Sequence, residues 1–225
     1  MSVLGMGFLL GARHALDADH VVAVTTILSK RPSFRASGLI GFCWGSGHTL
    51  VLLLVGLAVI ALKITIPERL ASAFEFLVGL MLVGLGVSLA ATIARERWHW
   101  HVHQHEGATH LHLHSHDRRE DHQHQHWLGG SAKSFLVGMV HGLAGSAALG
   151  MMVLSTVQTI WQGVAYILVF GLGSILGMVL LGTVISFPLI FSASFGRQAQ
   201  AAVQGLASLA SIGLGLVIMV RSSIS

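Results

Sequence analysis

Long apolar stretches separated by short polar segments dominate the chain, and their lengths predict membrane-spanning helices. A helix needs about 20 mostly apolar residues to cross the hydrocarbon core of a bilayer. Six stretches approach or exceed this length, at 5–28, 38–62, 72–94, 134–157, 162–187 and 200–220. The apolar runs are continuous and do not alternate with polar residues, which favours helices over the strands of a membrane barrel. We therefore predict an all-α integral membrane protein with six transmembrane helices.

The apolar pattern of the second half repeats that of the first. A displacement of 127 residues aligns Phe8–Leu16 with Phe135–Leu143, including one histidine in each stretch. Displacements of 128 and 129 align glycines and apolar residues of the next two spans. Three spans is an odd number, so the second copy would cross the membrane in the opposite orientation, as in many secondary transporters. We predict two inverted three-helix repeats, 1–94 and 134–225, joined by the segment 95–133.

Positive charge is divided unevenly between the predicted loops. Nine lysines and arginines follow the first, third and fifth spans, and three lie on the other side of the membrane. The nine are Lys30, Arg31, Arg35, Arg95, Arg97, Arg118, Arg119, Lys133 and Arg197, and the three are Lys63, Arg69 and Arg221. Loops rich in lysine and arginine stay in the cytoplasm. We expect a bacterial cytoplasmic membrane protein whose termini lie outside and whose 95–133 segment is cytoplasmic.

The composition of the chain excludes several classes of protein function. The chain is 53% apolar and 10% charged, whereas soluble domains carry about 25% charged residues. The net charge of +4 is spread over the loops, so we expect the lipid bilayer and no nucleic acid as a partner. Cys43 is the single cysteine. This excludes an intramolecular disulfide, and with it a thiol-redox carrier that depends on a cysteine pair.

Two histidines and two aspartates lie inside the first predicted span, at His14, Asp17, Asp19 and His20. Each ionisable side chain at this depth costs at least ~2.5–3.5 kcal/mol. A divalent transition-metal ion would compensate them, since imidazole suits nickel, cobalt, zinc and copper. On an unbroken helix Asp19 points away from the other three. Either Asp19 holds a neighbouring helix, or the helix is locally unwound. The alternative interpretation is a polar network that only ties helices together.

The motif Arg13–His20, followed one span later by Gly41–Thr49, resembles the signature of the nickel/cobalt transporter family, NiCoT. That signature is an H-x4-D-H helix followed by a span with a Gly-His-Ser/Thr element. His14, Asp19 and His20 match its first part, and His48 matches the later histidine. The resemblance implies selective passage of Ni²⁺ or Co²⁺ across the cytoplasmic membrane, with these residues in the metal path.

Two features depart from typical members of that family. The motif lies in the first predicted span, whereas typical members have another helix before it. The stretch Val140–Leu149 replaces an acidic, threonine-rich element and looks more like urease-accessory or efflux-type relatives. His141 could face the metal path from this second half, or could be an ordinary interhelical histidine.

Eleven histidines at alternate or near-alternate positions fill the central segment. They are His99, His101, His103, His105, His110, His112, His114, His116, His122, His124 and His126. Such tracts are typical of metal binding. The charges and the lack of an apolar face predict a loop that is mobile without metal. It would capture, buffer or sense ions, and capture should weaken below about pH 6 because only neutral imidazole binds metal.

No phosphate-binding G-x-x-x-x-G-K-S/T motif is present, so no ATPase subunit is evident in the sequence. The sequence also lacks H-E-x-x-H, and we expect no enzyme activity and no cofactor. Transport would be secondary or driven by the membrane potential. For a divalent cation moving inward, the potential supplies about 4.6 kcal/mol per 100 mV.

The sequence therefore predicts a secondary transporter of Ni²⁺ or Co²⁺. Its metal ligands are predicted to be His14, Asp19, His20 and His48, with Asp17 as a ligand or as a partner that orients an imidazole. Uptake is preferred over efflux. The alternatives are an efflux permease, a membrane-anchored accessory or storage protein for urease or hydrogenase maturation, and a carrier of zinc or another divalent ion. The sequence leaves the oligomeric state open.

Overall fold

The computed structural model describes residues 3–30, 32–97, 100–105, 108–113, 127–156 and 159–224. Within these segments the chain forms seven helices and one pair of short strands. The helices are α1 (Val3–His14), α2 (Ala18–Leu28), α3 (Phe34–Leu62), α4 (Glu68–Arg97), α5 (Trp127–Thr156), α6 (Ile160–Ser194) and α7 (Arg197–Ile224). Helices α3, α4, α6 and α7 are long and apolar enough to cross a membrane. The prediction of an α-helical, multi-pass membrane protein is confirmed at this level.

The first predicted span is broken in the middle. Helix α1 ends at His14, and α2 begins at Ala18. The intervening backbone is closed by turn hydrogen bonds, in which Leu16 N donates to Arg13 O at 2.8 Å and Asp17 N donates to His14 O at 3.0 Å. Asp17 occupies the N-cap position of α2 with an extended backbone, a position that aspartate favours. Of the two arrangements left open by the sequence, the structure has the unwound one.

Glycines allow backbone-to-backbone contact between helices from the two halves of the chain. A Cβ atom at Gly11 of α1 would collide with the carbonyl oxygen of Phe170 of α6. A Cβ at Gly138 of α5 would collide with the carbonyl oxygen of Trp44 of α3. Close approach of this kind is how membrane helices pack when no hydrophobic effect drives them together. Helices α1, α3, α5 and α6 therefore form one tightly packed group.

Helices α4 and α7 form a second closely packed pair. A Cβ on Gly79 would lie 2.7 Å from the carbonyl oxygen of Gly215, and a Cβ on Gly215 would lie 2.6 Å from that of Gly79. Ser211 Oγ donates to Leu82 O across the same interface at 2.7 Å. Helix α2 contacts this pair through α7, and it also contacts α6. The second half of the broken span thus lies between the two groups.

Large apolar side chains occur both inside the bundle and on its outer surface. Trp44, Leu28 and Leu82 are fully buried, whereas Trp161 is 82% exposed and Leu209 is 68% exposed. In water such a surface would drive aggregation. In a bilayer it is the surface that faces lipid, because the solvent is itself apolar.

The central segment contains regular structure where we expected a mobile loop. Strand β1 (Trp100–His105) pairs with β2 (Ala108–Leu113) in an antiparallel hairpin. The alternation of histidine with other residues has the period of two that is typical of strands. Residues 98–99, 106–107 and 114–126 lie outside the described residues, and they include six of the predicted chelators, His99, His114, His116, His122, His124 and His126. The chelating role of the loop histidines remains a prediction.

Candidate metal centre

The four histidines outside the central segment meet in the interior of the bundle. They come from four different helices, since His14 ends α1, His20 lies in the first turn of α2, His48 lies in α3 and His141 lies in α5. Three of them are at most 2% exposed. The ring centroids of His14 and His20 are 4.8 Å apart, those of His14 and His48 are 5.0 Å apart, and those of His20 and His141 are 4.7 Å apart.

The helix break brings His14 and His20 together. On a continuous helix, residues six positions apart are separated by about 9 Å along the axis. Because the chain leaves the helix after His14 and re-enters it at Ala18, the two rings instead make an edge contact. The same turn directs the two aspartates to different histidines.

Asp17 contacts the Nδ1 atom of the His14 ring. Its carboxylate Oδ2 is 2.7 Å from His14 Nδ1, and it makes no cap hydrogen bond to α2. A hydrogen bond from Nδ1 fixes the imidazole tautomer and leaves Nε2 free to bind a metal. Asp17 is thus placed to orient the His14 ring, which is one of the two roles that the sequence predicted for it.

Asp19 lies beside His20 and near His141. Its Oδ1 accepts a hydrogen bond from the His20 backbone N–H at 2.9 Å and lies 3.0 Å from His20 Nδ1. Its Oδ2 is 3.7 Å from His141 Nε2. The Nδ1 of His141 lies 3.2 Å from the carbonyl oxygen of Val137. That bond points the Nε2 of His141 toward Asp19.

These side chains form two groups that could each hold one metal ion. The first consists of His14, His20 and His48, and the second of Asp19, His20 and His141. In each group one donor atom from every residue lies within 4.8 Å of the others. His20 is the only residue that belongs to both groups.

Several buried nitrogen atoms of this cluster have no hydrogen-bond partner among the described residues. They are Nε2 of His20, both ring nitrogens of His48, and Nε2 of His141. More than 90% of buried polar groups in proteins are hydrogen-bonded, and leaving one without a partner costs about 1–3 kcal/mol. Neutral imidazole nitrogens that converge in this way suit a late transition-metal ion.

Two residues of the site escaped the sequence analysis. Trp44 is fully buried, and its ring centroid lies 5.0 Å from that of His141 and 6.0 Å from that of His20. A Cβ atom at Gly145 would lie 3.6 Å from His48 Cε1 and 3.7 Å from His14 Nε2. Each residue is four positions from a site histidine along its helix, since Trp44 precedes His48 and Gly145 follows His141. This spacing could have identified them.

Comparison with known proteins identifies relatives over nearly the whole chain. The sequence model of the family described as the cytochrome c biogenesis protein transmembrane region matches residues 19–217. The urease accessory protein UreH of Bacillus sp. (strain TB-90) is 40% identical over 204 residues, which are 91% of this chain and 85% of that protein. No solved structure matches.

Proposed function

We propose that this chain, which belongs to the family of the cytochrome c biogenesis protein transmembrane region, is a membrane permease for a divalent transition-metal ion. We propose Ni²⁺ as its main substrate, with Co²⁺ as a second. The donor set of the chain supports metal handling over thiol chemistry, since Cys43 is the single cysteine. The name of its relative, a urease accessory protein, supports nickel, because urease is a nickel enzyme.

The observation that carries this proposal is the convergence of His14, His20 and His48 at the helix break. His20 and His48 are buried and His14 is half-buried, and imidazoles in such a place are costly unless they bind something. Imidazole prefers nickel, cobalt, copper and zinc to the hard cations magnesium and calcium. A helix that is unwound at such a site is typical of transporters, because the free backbone and the side chains then line a path for the ion.

The proposed site assigns a role to each residue. His14, His20 and His48 bind the ion, and Asp19 offsets part of its charge next to His20. Asp17 is a positioning residue that holds the His14 ring through its 2.7 Å contact. The loop histidines would raise the local ion concentration at the cytoplasmic mouth.

We also propose that the six spans are two inverted repeats, with the broken α1–α2 helix counted as one span. Reciprocal contacts between the halves support this arrangement. Gly173 of α6 packs against the Phe8 carbonyl of α1, and Gly47 of α3 packs in the same manner against the Phe135 carbonyl of α5. This pairing corresponds to a displacement of 126 residues between α3 and α6, two fewer than the sequence alignment predicted. In this register Ser174, which is fully buried, takes the place of His48.

The proposed location is the bacterial cytoplasmic membrane, with the central segment in the cytoplasm. An inside-negative potential then favours inward movement of the ion by about 4.6 kcal/mol per 100 mV. This is enough for uptake without nucleotide hydrolysis. Efflux would need another source of energy.

Radiolabelled Ni²⁺ flux into proteoliposomes tests the proposal directly. With the intact chain, ions should accumulate when an inside-negative potential is imposed, and accumulation should collapse when the sign is reversed. His48→Ala should lower the flux at least about tenfold because one ligand is lost. Glu75→Gln serves as the control, since Glu75 is an exposed carboxylate on α4. Equal flux in His48→Ala and in the intact chain would refute the proposed site.

A second candidate function is supported by the name of the relative, which is a urease accessory protein. In this case the chain would store Ni²⁺ or deliver it to urease maturation without moving it across the membrane. The same experiment separates the two functions. An accessory protein would bind Ni²⁺ in the proteoliposomes and show no potential-dependent accumulation.

A further inference from the structure

We propose that Asp19, His20 and His141 form a second metal position, and that an ion passes to it from the His14–His20–His48 position by exchanging ligands on His20. This inference rests on the proposed permease function and adds a path to it. The two donor groups have His20 alone in common. One ion therefore does not need to reach every donor at once.

The geometry of the second group suits a bound ion. Donors that share an ion at ~2.1 Å lie roughly 3.0–3.4 Å apart. Asp19 Oδ1 and His20 Nδ1 are 3.0 Å apart, and His141 Nε2 lies 3.7 Å from Asp19 Oδ2. One donor atom from each of the three residues lies within 4.8 Å of the others, so the three groups can close around one ion.

His141 has the hydrogen-bond pattern of a metal ligand. Its Nδ1 is held by the Val137 carbonyl at 3.2 Å, while its Nε2 is buried without a hydrogen-bond partner among the described residues. A metal-bound histidine usually donates its other ring N–H to a carbonyl or a carboxylate. His14 shows the same pattern, with Asp17 in place of the carbonyl.

The positions of these histidines in the chain support the pairing. His14 and His141 are aligned by the 127-residue displacement. They lie on opposite halves of the chain, and each belongs to one of the two groups that meet at His20. The first position uses only residues of the first half, whereas the second also uses α5 of the second half.

A ligand that is common to both positions lowers the free energy that the ion needs to move between them. A divalent ion without ligands is very costly in a medium of low dielectric constant. An ion that moves between the two groups exchanges the other two ligands and has a nitrogen of the His20 ring to bind in both positions. The Asp19 carboxylate lies 3.0 Å from Nδ1 of the His20 ring. It therefore offsets part of the charge of the ion in either position.

Co²⁺ binding to the full-length chain tests the second position. The eleven loop histidines are first replaced by Asn, so that only the buried donors bind, and the visible absorption of Co²⁺ reports the ligands. This parent should bind one ion per chain. His48→Ala and His141→Ala should each keep one ion with a different spectrum, and His20→Ala should bind about 100-fold more weakly or worse.

Potential-driven Co²⁺ flux in the same variants gives an independent readout. Both His48→Ala and His141→Ala should lose most of the flux although they still bind the ion, since each lacks one end of the path. Ser134→Ala is the matched control, because Ser134 is buried on α5 seven residues before His141 and its Oγ donates to Gly130 O of its own helix at 3.0 Å.

Three results would overturn the inference. They are a His141→Ala variant with the spectrum and flux of the parent, a His48→Ala variant without bound ion, and a parent that binds two ions at once. Failure of the proposed function would differ from all three. In that case the spectra would change as expected for two positions, while the parent itself would show no flux.

Discussion

At the scale of single residues, the site depends on which nitrogen of each imidazole is free. His14 and His141 are both held through Nδ1, by Asp17 Oδ2 at 2.7 Å and by Val137 O at 3.2 Å. Their Nε2 atoms are therefore the ones available to an ion. The sequence predicted both histidines as candidates, but it could not assign their tautomers, because the partners are set by the local backbone geometry.

Gly145 provides the first testable prediction at this scale. Its hydrogen occupies the place where a larger side chain would contact His48 Cε1 and His14 Nε2. Gly145→Leu should fill this space and weaken Ni²⁺ binding by about 1–3 kcal/mol, or roughly 5- to 150-fold. Equilibrium dialysis of the purified chain would measure the change.

Gly84→Leu is the control for Gly145→Leu. A Cβ at Gly84 meets nothing within 4 Å, and the residue is exposed on α4. Its substitution should leave Ni²⁺ affinity unchanged. If Gly145→Leu bound Ni²⁺ as tightly as the Gly84 variant, the space beside His14 and His48 would not belong to the binding site.

At the scale of helices, helices of one half of the chain pack against helices of the other half. Helix α1 packs against α6, and α3 packs against α5, with glycines at the closest points. The segments 1–94 and 134–225, which sequence repetition marks as two units, thus share their packing surfaces. The sequence showed small residues spaced four apart, but it could not show which helix each would meet.

Gly138 tests the importance of these contacts. Because a Cβ there would collide with the Trp44 carbonyl, Gly138→Val should push α5 away from α3 and destabilise the chain by about 1–3 kcal/mol or more. The midpoint of thermal unfolding in detergent should fall by several degrees. Gly213→Val, at a position where a Cβ meets nothing within 4 Å, should unfold near the midpoint of the unmodified chain. Equal midpoints for the two variants would contradict the packing argument.

At the scale of the whole molecule, the chain has two different regions that we propose to bind metal. One is buried between helices, and the other is the histidine-rich central segment. The register of the hairpin there pairs His101 with His112 and His103 with His110. These regions should respond differently to pH, because imidazole in water takes up a proton near pH 6.5 and a bound metal ion competes with that proton.

The number of Ni²⁺ ions bound per chain tests this difference. At pH 7.5 we expect most loop imidazoles to be neutral and to bind metal. At pH 5.5 most are protonated, so the loop should release its ions. A chain whose eleven loop histidines are replaced by Asn should bind fewer Ni²⁺ ions at pH 7.5 than the unmodified chain. The difference should equal the number of ions that the unmodified chain releases at pH 5.5. If acidification removed as many ions from that variant as from the unmodified chain, the loop would not be the pH-sensitive store.

The sequence by itself indicated that the chain lies in a bilayer and which of its side chains are candidates for binding a ligand. Apolar runs of more than 20 residues permit few environments other than a bilayer, and histidines and carboxylates within such a run imply a polar ligand or partner. His14 and His20 were identified from these two facts, whereas His48 was identified from the family resemblance and His141 from the stretch Val140–Leu149 of the second half. None of these steps needed knowledge of the fold.

Only the tertiary structure decided how those residues meet. The unwinding at Ala15–Asp17 and the separation of the donors into two groups around His20 arise from contacts between distant helices. The same holds for the roles of Trp44 and Gly145, which are ordinary packing residues in any one helix. Periodicity places a side chain on a face of its own helix, but it carries no information about which residues of another helix lie opposite.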